Sequence, residues 1–276
     1  FIACAHGGTS MTTWDPALKE QGGKSLYGAM VRRVQKNGGR VAGVLWHQGC
    51  SETAVENQPV YTDRMRRLVA AMRADFAGPA LPVVMAQIAR FVYCDQMTDG
   101  SGYMAVRELQ RRLPEAIPHL AVVPTIDLPI DDIIHLAGDG LNVLGGRMAD
   151  VMRHLTSHGK AGRRPLALRG LRVEPARRGD PWKYKILVDF SNVAGGLQAP
   201  GRPTGFHVAS GGQALMHYDT RLEGDSVALY VEAMQGVPIK DVALSYGYGL
   251  NPYCNITDAE NHSLPAFGPL PLAWPG

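Results

Sequence analysis

The stretch VAGVLW at residues 41–46, together with LPVVMAQ at residues 81–87, determines the predicted fold. Both are short and mostly apolar, with the length of a buried strand. Between them, residues 61–76 carry apolar side chains at helical spacing, including Met65, Leu68 and Met72, while four arginines occupy mainly the remaining surface. A strand, an amphipathic helix and a second strand in this order predict a βαβ unit on a parallel sheet.

The same alternation continues on both sides of this unit, as far as about residue 158. Further strands are predicted at residues 1–5 and 120–124, and further helices at residues 25–36, 102–113 and 141–155. We expect the first of these helices to end at the Asn-Gly-Gly that follows it, and the second to end at Pro114. The N-terminal part is therefore predicted to be an α/β domain.

The composition changes after residue 158. Residues 159–165 are rich in Gly, Pro and basic residues, which is typical of a linker. Beyond them, apolar and polar residues alternate in short runs separated by turn residues, at residues 183–190, 205–208, 226–231 and 242–246. We therefore expect an α/β domain at 1–158, a linker at 159–165 and an all-β, sandwich-like domain at 166–276.

Charge and composition exclude several classes of partner and cofactor. The chain has 276 residues, with 28 basic and 25 acidic side chains interspersed, and a net charge of +3. This is not the basic stripe of a nucleic-acid-binding protein. No apolar run approaches the roughly 20 residues that span a bilayer, so no membrane partner is expected. The cysteines, at positions 4, 50, 94 and 254, lack metal-ligand spacing, and their pairing stays open.

Three polar loops follow predicted strands, where active sites collect in α/β sheets. Gly7 and Gly8 in the first loop would let backbone N–H groups approach an oxyanion, although such turns also serve steric needs. Gln48 in the second could donate from its amide, or hold a structural polar cluster. In the third, Asp132 precedes His135 by three residues, so its carboxylate could hold Nδ1 while Nε2 faces outward. A lone loop histidine is otherwise usually solvated.

These loops occur in the order of the sequence blocks of a known family. The chain resembles the sialate O-acetylesterase branch of the SGNH carbohydrate esterases, and the likeness covers most of its length. The three most specific blocks are ACAHGGTS at residues 3–10 with Trp14, VLWHQG at residues 44–49, and DIIH at residues 132–135 followed by LGGR at 144–147. Weaker matches in the β part are GF at 205–206, NPYCN at 251–255 and LPAF at 264–267.

The resemblance implies a fold and a chemistry. The fold would be a flavodoxin-like three-layer α/β/α domain followed by a small β domain. The reaction would be acyl transfer without metal or cofactor, in which a Ser attacks an O-acetyl ester of a carbohydrate. His135 would be the base and Asp132 its orienter, with Gln48, Gly7 and Gly8 as oxyanion donors. Trp14 and Trp46 would either pack near the sugar or belong to the core. A secreted, periplasmic or lysosomal location is also implied.

The sequence departs from the family at the nucleophile. The family carries its Ser in a Gly-Gln-Ser-Asn block on the first strand, and this sequence has no such block. Ser10 and Ser51 lie in matched blocks at other positions, and Cys50, where the family usually has Glu, is a conceivable replacement. We expect instead that an upstream segment or a separate chain supplies the Ser. Its strand would lie between residues 1–5 and 41–46.

Two other functions remain compatible with the sequence. The missing Ser and the Cys at position 50 would also suit a catalytically inactive relative that binds glycans. Within the hydrolases, an acetylxylan or pectin-type deacetylase is the alternative, because the blocks report the reaction better than the sugar.

Overall fold

The computed structural model describes residues 1–76, 78–93, 100–176, 182–233 and 239–275; Cys94 lies outside these ranges. The chain forms two compact units. The first comprises Phe1–Ile88, Ala105–Val123 and Asn142–Arg164, and the second comprises Ala89–Met104, Pro124–Leu141 and Pro165–Gly276. The division at residues 158 and 166 stays a prediction of the sequence.

The first unit contains the predicted parallel sheet. Its three strands are β1 (Val44–Trp46), β2 (Val83–Ala86) and β3 (Leu120–Val123), in that spatial order. All four side chains of β2 are buried, as expected of a central strand in a parallel sheet. The apolar runs at 81–87 and 120–124 were therefore sufficient to locate β2 and β3.

In the described ranges, four α-helices accompany the sheet, and two shorter 3-10 helices lie at Pro16–Lys24 and Cys50–Glu52. Ser25 caps the first α-helix by accepting a hydrogen bond from the N–H of Gly28. Buried residues of the first two α-helices, among them Val31 and Leu68, share one apolar cluster with Val83 and Leu120. The α-helices are α1 (Leu26–Lys36), α2 (Gln58–Phe76), α3 (Ser101–Ala116) and α4 (Gly138–Thr156).

The strand predicted at residues 1–5 does not form. Exposed and partly buried residues alternate there, and Ile2 and Cys4 pack against the apolar cluster of the first unit, as inward-facing strand residues would. A strand also needs a hydrogen-bonded neighbour, and no described strand pairs with this segment. The segment is thus apolar and packed as its sequence indicates, whereas the strand assignment was wrong.

The end predicted for α3 was also wrong, because the helix continues through Pro114 to Ala116. Proline removes one N–H from the last helical turn, but its φ angle is helical. The next turn closes with a hydrogen bond from the N–H of Ile117 to the carbonyl of Leu113, at 2.9 Å. Because both of these side chains are buried in the core, packing maintains the helix past the proline.

The β part of the second unit is an antiparallel double sheet, as predicted. One sheet has the order β4-β5-β10-β9 and the other β13-β11-β7-β8, with β6 and β12 as a separate pair. Both sheets contribute to one apolar cluster, which includes Val188, Leu229, Leu244 and Phe267. The strands are β4 (Ala167–Pro175), β5 (Lys183–Ser191), β6 (Leu197–Gln198), β7 (Phe206–Ser210), β8 (Gln213–Ala214), β9 (His217–Glu223), β10 (Ser226–Glu232), β11 (Ala243–Tyr246), β12 (Thr257–Asp258) and β13 (Phe267–Pro271).

Candidate functional site

A closed loop between β3 and α4 holds the predicted base and its orienter. The loop is pinned by hydrogen bonds from the N–H of Asp131 to the carbonyl of His135 (3.1 Å) and from the N–H of Ala137 to that of Pro129 (2.9 Å). Nδ1 of His135 lies 2.6 Å from Oδ2 of Asp132. The structure therefore brings these two side chains into the geometry that their spacing predicts.

The same loop sets the protonation of the pair. Oδ1 of Asp132 accepts hydrogen bonds from the backbone N–H groups of His135 (2.7 Å) and Ile134 (2.8 Å). These two backbone bonds, followed by the His135 side chain, lower the pKa of Asp132 to about 2. The ionised carboxylate in turn raises the pKa of His135, first through their hydrogen bond and then through its charge. Nδ1 is thereby held as the donor, which leaves Nε2 as the basic atom.

Among the described residues, Asp132 is the one hydrogen-bond partner of the His135 ring. The ring is exposed, at the surface of the second unit. The alternative nucleophiles Ser10, Ser51 and Cys50 belong to the first unit, where Ser10 Oγ bonds to Thr12 Oγ1 at 2.6 Å. The nucleophile thus stays unassigned within this chain.

The Gly7-Gly8 turn is exposed and shaped by its neighbours. Gly8 has a φ of 67°, in the left-handed region that glycine adopts without strain. Thr9 Oγ1 donates to the carbonyl of His6 (2.9 Å) and accepts from Trp14 Nε1 (3.0 Å). A Cβ at either glycine would meet nothing within 4 Å, so crowding at the Cβ position does not require glycine at either place.

Gln48 is joined to this turn by its side-chain amide. Nε2 of Gln48 donates to the carbonyl of Thr9 at 3.3 Å and to Oε1 of Glu52 at 3.1 Å. The two glycines and Gln48 therefore belong to one connected group in the first unit. Because both amide hydrogens are engaged, donation to an oxyanion would require Gln48 to exchange one bond, and the longer bond to Thr9 is the weaker.

Glu52 is the central residue of this group, although no role for it was predicted from the sequence. Its side chain is 0% exposed. It accepts hydrogen bonds from the N–H of Met11 (2.8 Å), from Gln48 and from Arg64 Nη1 (3.4 Å). A buried carboxylate needs such donors to offset its lost hydration. Its position three residues after Gly49, in the loop that carries Gln48, was the one sequence signal that it belongs to the site.

The backbone at Gly49 allows the turn after β1. Gly49 has a φ of 151°, and a Cβ there would lie 2.5 Å from Nε2 of Gln110 and 2.8 Å from Cγ2 of Ile88. The buried Gln110 donates to the carbonyl of Gln48 (2.9 Å) and accepts from the N–H of Ile88 (2.8 Å). Gln110 thus anchors the loop that carries Gln48, and it also went unnoticed in the sequence.

Trp14 and Trp46 belong to the core. They are 3% and 8% exposed, and their rings meet edge to face with centroids 5.1 Å apart. Of the two roles considered for them, the structure favours packing over contact with a ligand. In the described part of the chain, no three His, Cys, Asp or Glu side chains are grouped so as to hold a metal ion. None of the described helices is both long and apolar enough to cross a membrane.

A parallel α/β sheet followed by an antiparallel double sheet is the fold of an SGNH-type carbohydrate esterase. The family model described as "Carbohydrate esterase, sialic acid-specific acetylesterase" matches residues 1–154, and the chain belongs to this family.

Two known proteins illustrate the relationship. A probable carbohydrate esterase of Arabidopsis thaliana is 31% identical over 155 residues, which cover 54% of this chain and 53% of the relative. The chain thus spans about half the length of this curated relative. The crystal structure of a novel carbohydrate acetylesterase from Xanthomonas citri superposes with a TM-score of 0.73 at 21% identity, covering 95% of this chain and 58% of that one. This second likeness concerns the fold and confirms the predicted fold class.

Proposed function

We propose that the protein is a carbohydrate O-acetylesterase that uses a Ser-His-Asp mechanism, with His135 as general base and Asp132 as its orienter. The observation that carries the proposal is the 2.6 Å contact between His135 Nδ1 and Asp132 Oδ2, in a chain that belongs to a carbohydrate esterase family. The ionised carboxylate selects the tautomer with its proton on Nδ1, and it stabilises the imidazolium that forms during the reaction.

In this mechanism His135 takes a proton from the attacking oxygen and then gives it to the leaving oxygen. As a Ser Oγ adds to the acetyl carbonyl carbon, its proton passes to Nε2 of His135. The tetrahedral intermediate collapses to acetyl-serine as its bond to the sugar oxygen breaks, and His135 gives the proton to that oxygen, which leaves as a hydroxyl. Water then repeats the sequence, releasing acetate and the free Ser. Asp132 stays ionised throughout, in keeping with its lowered pKa.

The Ser is proposed to come from a segment outside residues 1–276. β1 pairs with β2 on one side, and none of the described strands pairs with its other edge. Leu45 on the same strand is 49% exposed, which is unusual for an apolar residue of a parallel sheet. A further parallel strand at this edge would satisfy the backbone of β1. It would also end beside the loops that follow the other strands.

The oxyanion donors are proposed to be the backbone N–H groups of the Gly7-Gly8 turn and the amide of Gln48. The exposure of both glycines supports this role, because it leaves the turn accessible to a ligand. The hydrogen bond that joins Gln48 to Thr9 also supports it, because it ties the predicted donors into one group. The substrate is proposed to be an O-acetylated sialic acid, in line with the description of the family. An acetylated xylan or pectin is the alternative.

The decisive experiment is acetate release by the full-length gene product from 9-O-acetylated sialic acid, acetylated xylan and p-nitrophenyl acetate. We expect hydrolysis by the wild type, and His135→Ala should abolish it. The matched control is His158→Ala, which changes an exposed histidine in the turn after α4. Substantial activity of His135→Ala would overturn the assignment of the base.

The rival function is glycan binding without catalysis. The feature that favours it is Cys50 at a position where the family usually has Glu. Under this proposal the full-length protein would bind the acetylated sugar and release no acetate, even after prolonged incubation. Acetate release that depends on His135 would exclude it.

A further inference from the structure

Three aromatic rings form a stacked row in the second unit. The ring of Phe91 stacks on that of Tyr93, with centroids 5.3 Å apart and planes 11° from parallel. It also stacks on Tyr103, at 5.2 Å and 14°. Tyr103 is buried, whereas Tyr93 is 42% exposed. The row therefore begins in the interior and ends at the surface with a ring whose orientation is set by its neighbours.

The segment that carries this row is bonded to the loop of the candidate base. The N–H of Val92 donates to the carbonyl of Ile133 at 2.8 Å, and Ile133 adjoins Asp132 and lies two residues from His135. The N–H of Phe91 donates to the carbonyl of Leu250, also at 2.8 Å, which holds the segment from a second direction. Tyr93 thus has a defined position beside the His135 loop.

The surface at this place is apolar as well as aromatic. Val92 and Ile133 are exposed next to Tyr93, while the polar groups of Asp132 and His135 follow directly along the loop. A pyranose ring has matching surfaces, because its C–H groups form an apolar face and its hydroxyls form a polar rim. Aromatic rings are suited to the apolar face, and a ring that is already ordered loses little entropy on binding.

We propose that Tyr93, supported by the row behind it, is the platform on which a sugar ring of the substrate stacks during deacetylation at His135. This inference rests on the proposed function and adds the residue that recognises the carbohydrate. The resemblance left Trp14 and Trp46 either near the sugar or in the core, and both are buried in the first unit. Tyr93, in contrast, is exposed and connected to the loop that carries the base.

The test compares a sugar ester with an ester that has no sugar. In the full-length protein, Tyr93→Ala should raise KM for the acetylated sugar that the wild type hydrolyses. The ratio of kcat/KM for this sugar to kcat/KM for p-nitrophenyl acetate should fall roughly two- to tenfold, which is the range for loss of one stacking contact. Tyr93→Phe should retain the ratio, since it keeps the ring. Tyr218→Ala, which removes another exposed tyrosine on β9, is the matched control and should leave the ratio unchanged.

Three kinetic results would overturn the proposal: an unchanged ratio in Tyr93→Ala, an equal loss with both esters, or a loss in Tyr93→Phe as large as that in Tyr93→Ala. A binding measurement distinguishes failure of the platform proposal from failure of the proposed function. If the wild type hydrolyses no ester, ligand-observed NMR with N-acetylneuraminic acid and with xylotetraose tests whether Tyr93 binds a sugar. Binding that Tyr93→Ala weakens supports the platform, whereas absence of binding to both sugars overturns it.

Discussion

The carboxylate of Glu52 accepts a hydrogen bond of 2.8 Å from the backbone N–H of Met11, 41 residues earlier in the chain. This bond joins the loop after β1 to the loop that contains Gly7 and Gly8. Gln48 and Arg64 donate to the same carboxylate. The two loops proposed to hold the oxyanion are therefore both hydrogen-bonded to the buried carboxylate of Glu52.

Glu52→Ala should destabilise the protein strongly. The substitution leaves the buried N–H of Met11 and the guanidinium of Arg64 without this acceptor, at a cost of about 2–4 kcal/mol in the free energy of unfolding. Urea denaturation of the full-length protein measures the effect. Glu56→Ala, at an exposed glutamate in the same loop, should change the stability by less than about 0.5 kcal/mol. Equal stability of the two variants would contradict the role given to Glu52.

Gly49→Ala tests the turn that follows β1. A Cβ at this position would lie 2.5 Å from Nε2 of Gln110, and the φ of 151° is a conformation that alanine rarely adopts. We expect a loss of about 2–4 kcal/mol in the free energy of unfolding. Gly145→Ala, in an exposed position of α4 with nothing within 4 Å, should be neutral or slightly stabilising. A thermal melt of both variants makes the comparison, and a neutral Gly49→Ala would contradict the geometry.

Gln48→Ala separates a catalytic amide from a structural one. If Gln48 donates to the oxyanion, kcat should fall by roughly 10²–10³ while KM changes little. Loss of its hydrogen bonds to Thr9 and Glu52 should cost about 1 kcal/mol of stability. Gln58→Ala is the matched control, because it removes a partly buried amide that bonds to the carbonyl of Thr53. A threefold or smaller change in kcat for Gln48→Ala would show that its amide has a structural role and does not donate to the oxyanion.

The sequence predicted those features that depend on neighbouring residues. The contact between Asp132 and His135 spans three positions of one loop, so residue spacing alone was enough to expect it. Strands β2 and β3 are continuous apolar runs and were located within a few residues. The sheet order of the β part and the aromatic row behind Tyr93 lie beyond such reasoning, because they depend on which distant segments pack together.

Other features escaped prediction for the same physical reason. β13 contains two prolines, and β4 contains a glycine and a proline, so neither looks like a strand in isolation. The acceptor role of Glu52 depends on Met11, which only the folded chain brings to it. Residues 1–5 show the opposite case, in which a strand-like sequence forms no strand. None of the described strands pairs with this segment, and a strand needs a hydrogen-bonded neighbour.

Asp132→Asn should change the rate and its pH dependence in a defined direction. In the wild type, the Asp132 carboxylate raises the pKa of His135, so the basic form needed for catalysis dominates only above a pH higher than the ordinary histidine value of 6.5. Asparagine removes the charge, and the pKa of His135 falls back toward its ordinary value. The acid limb of the kcat/KM profile should therefore move to lower pH, while the maximal rate falls by roughly 10²–10⁴ because the tautomer is no longer held.

Asp131→Asn is the control, since the Asp131 carboxylate raises the pKa of His135 only through its charge and by less than Asp132 does. We expect from it a smaller shift in the same direction with little loss of rate. An acid limb of Asp132→Asn that stays in place or moves to higher pH would show that His135 is not the titrating base.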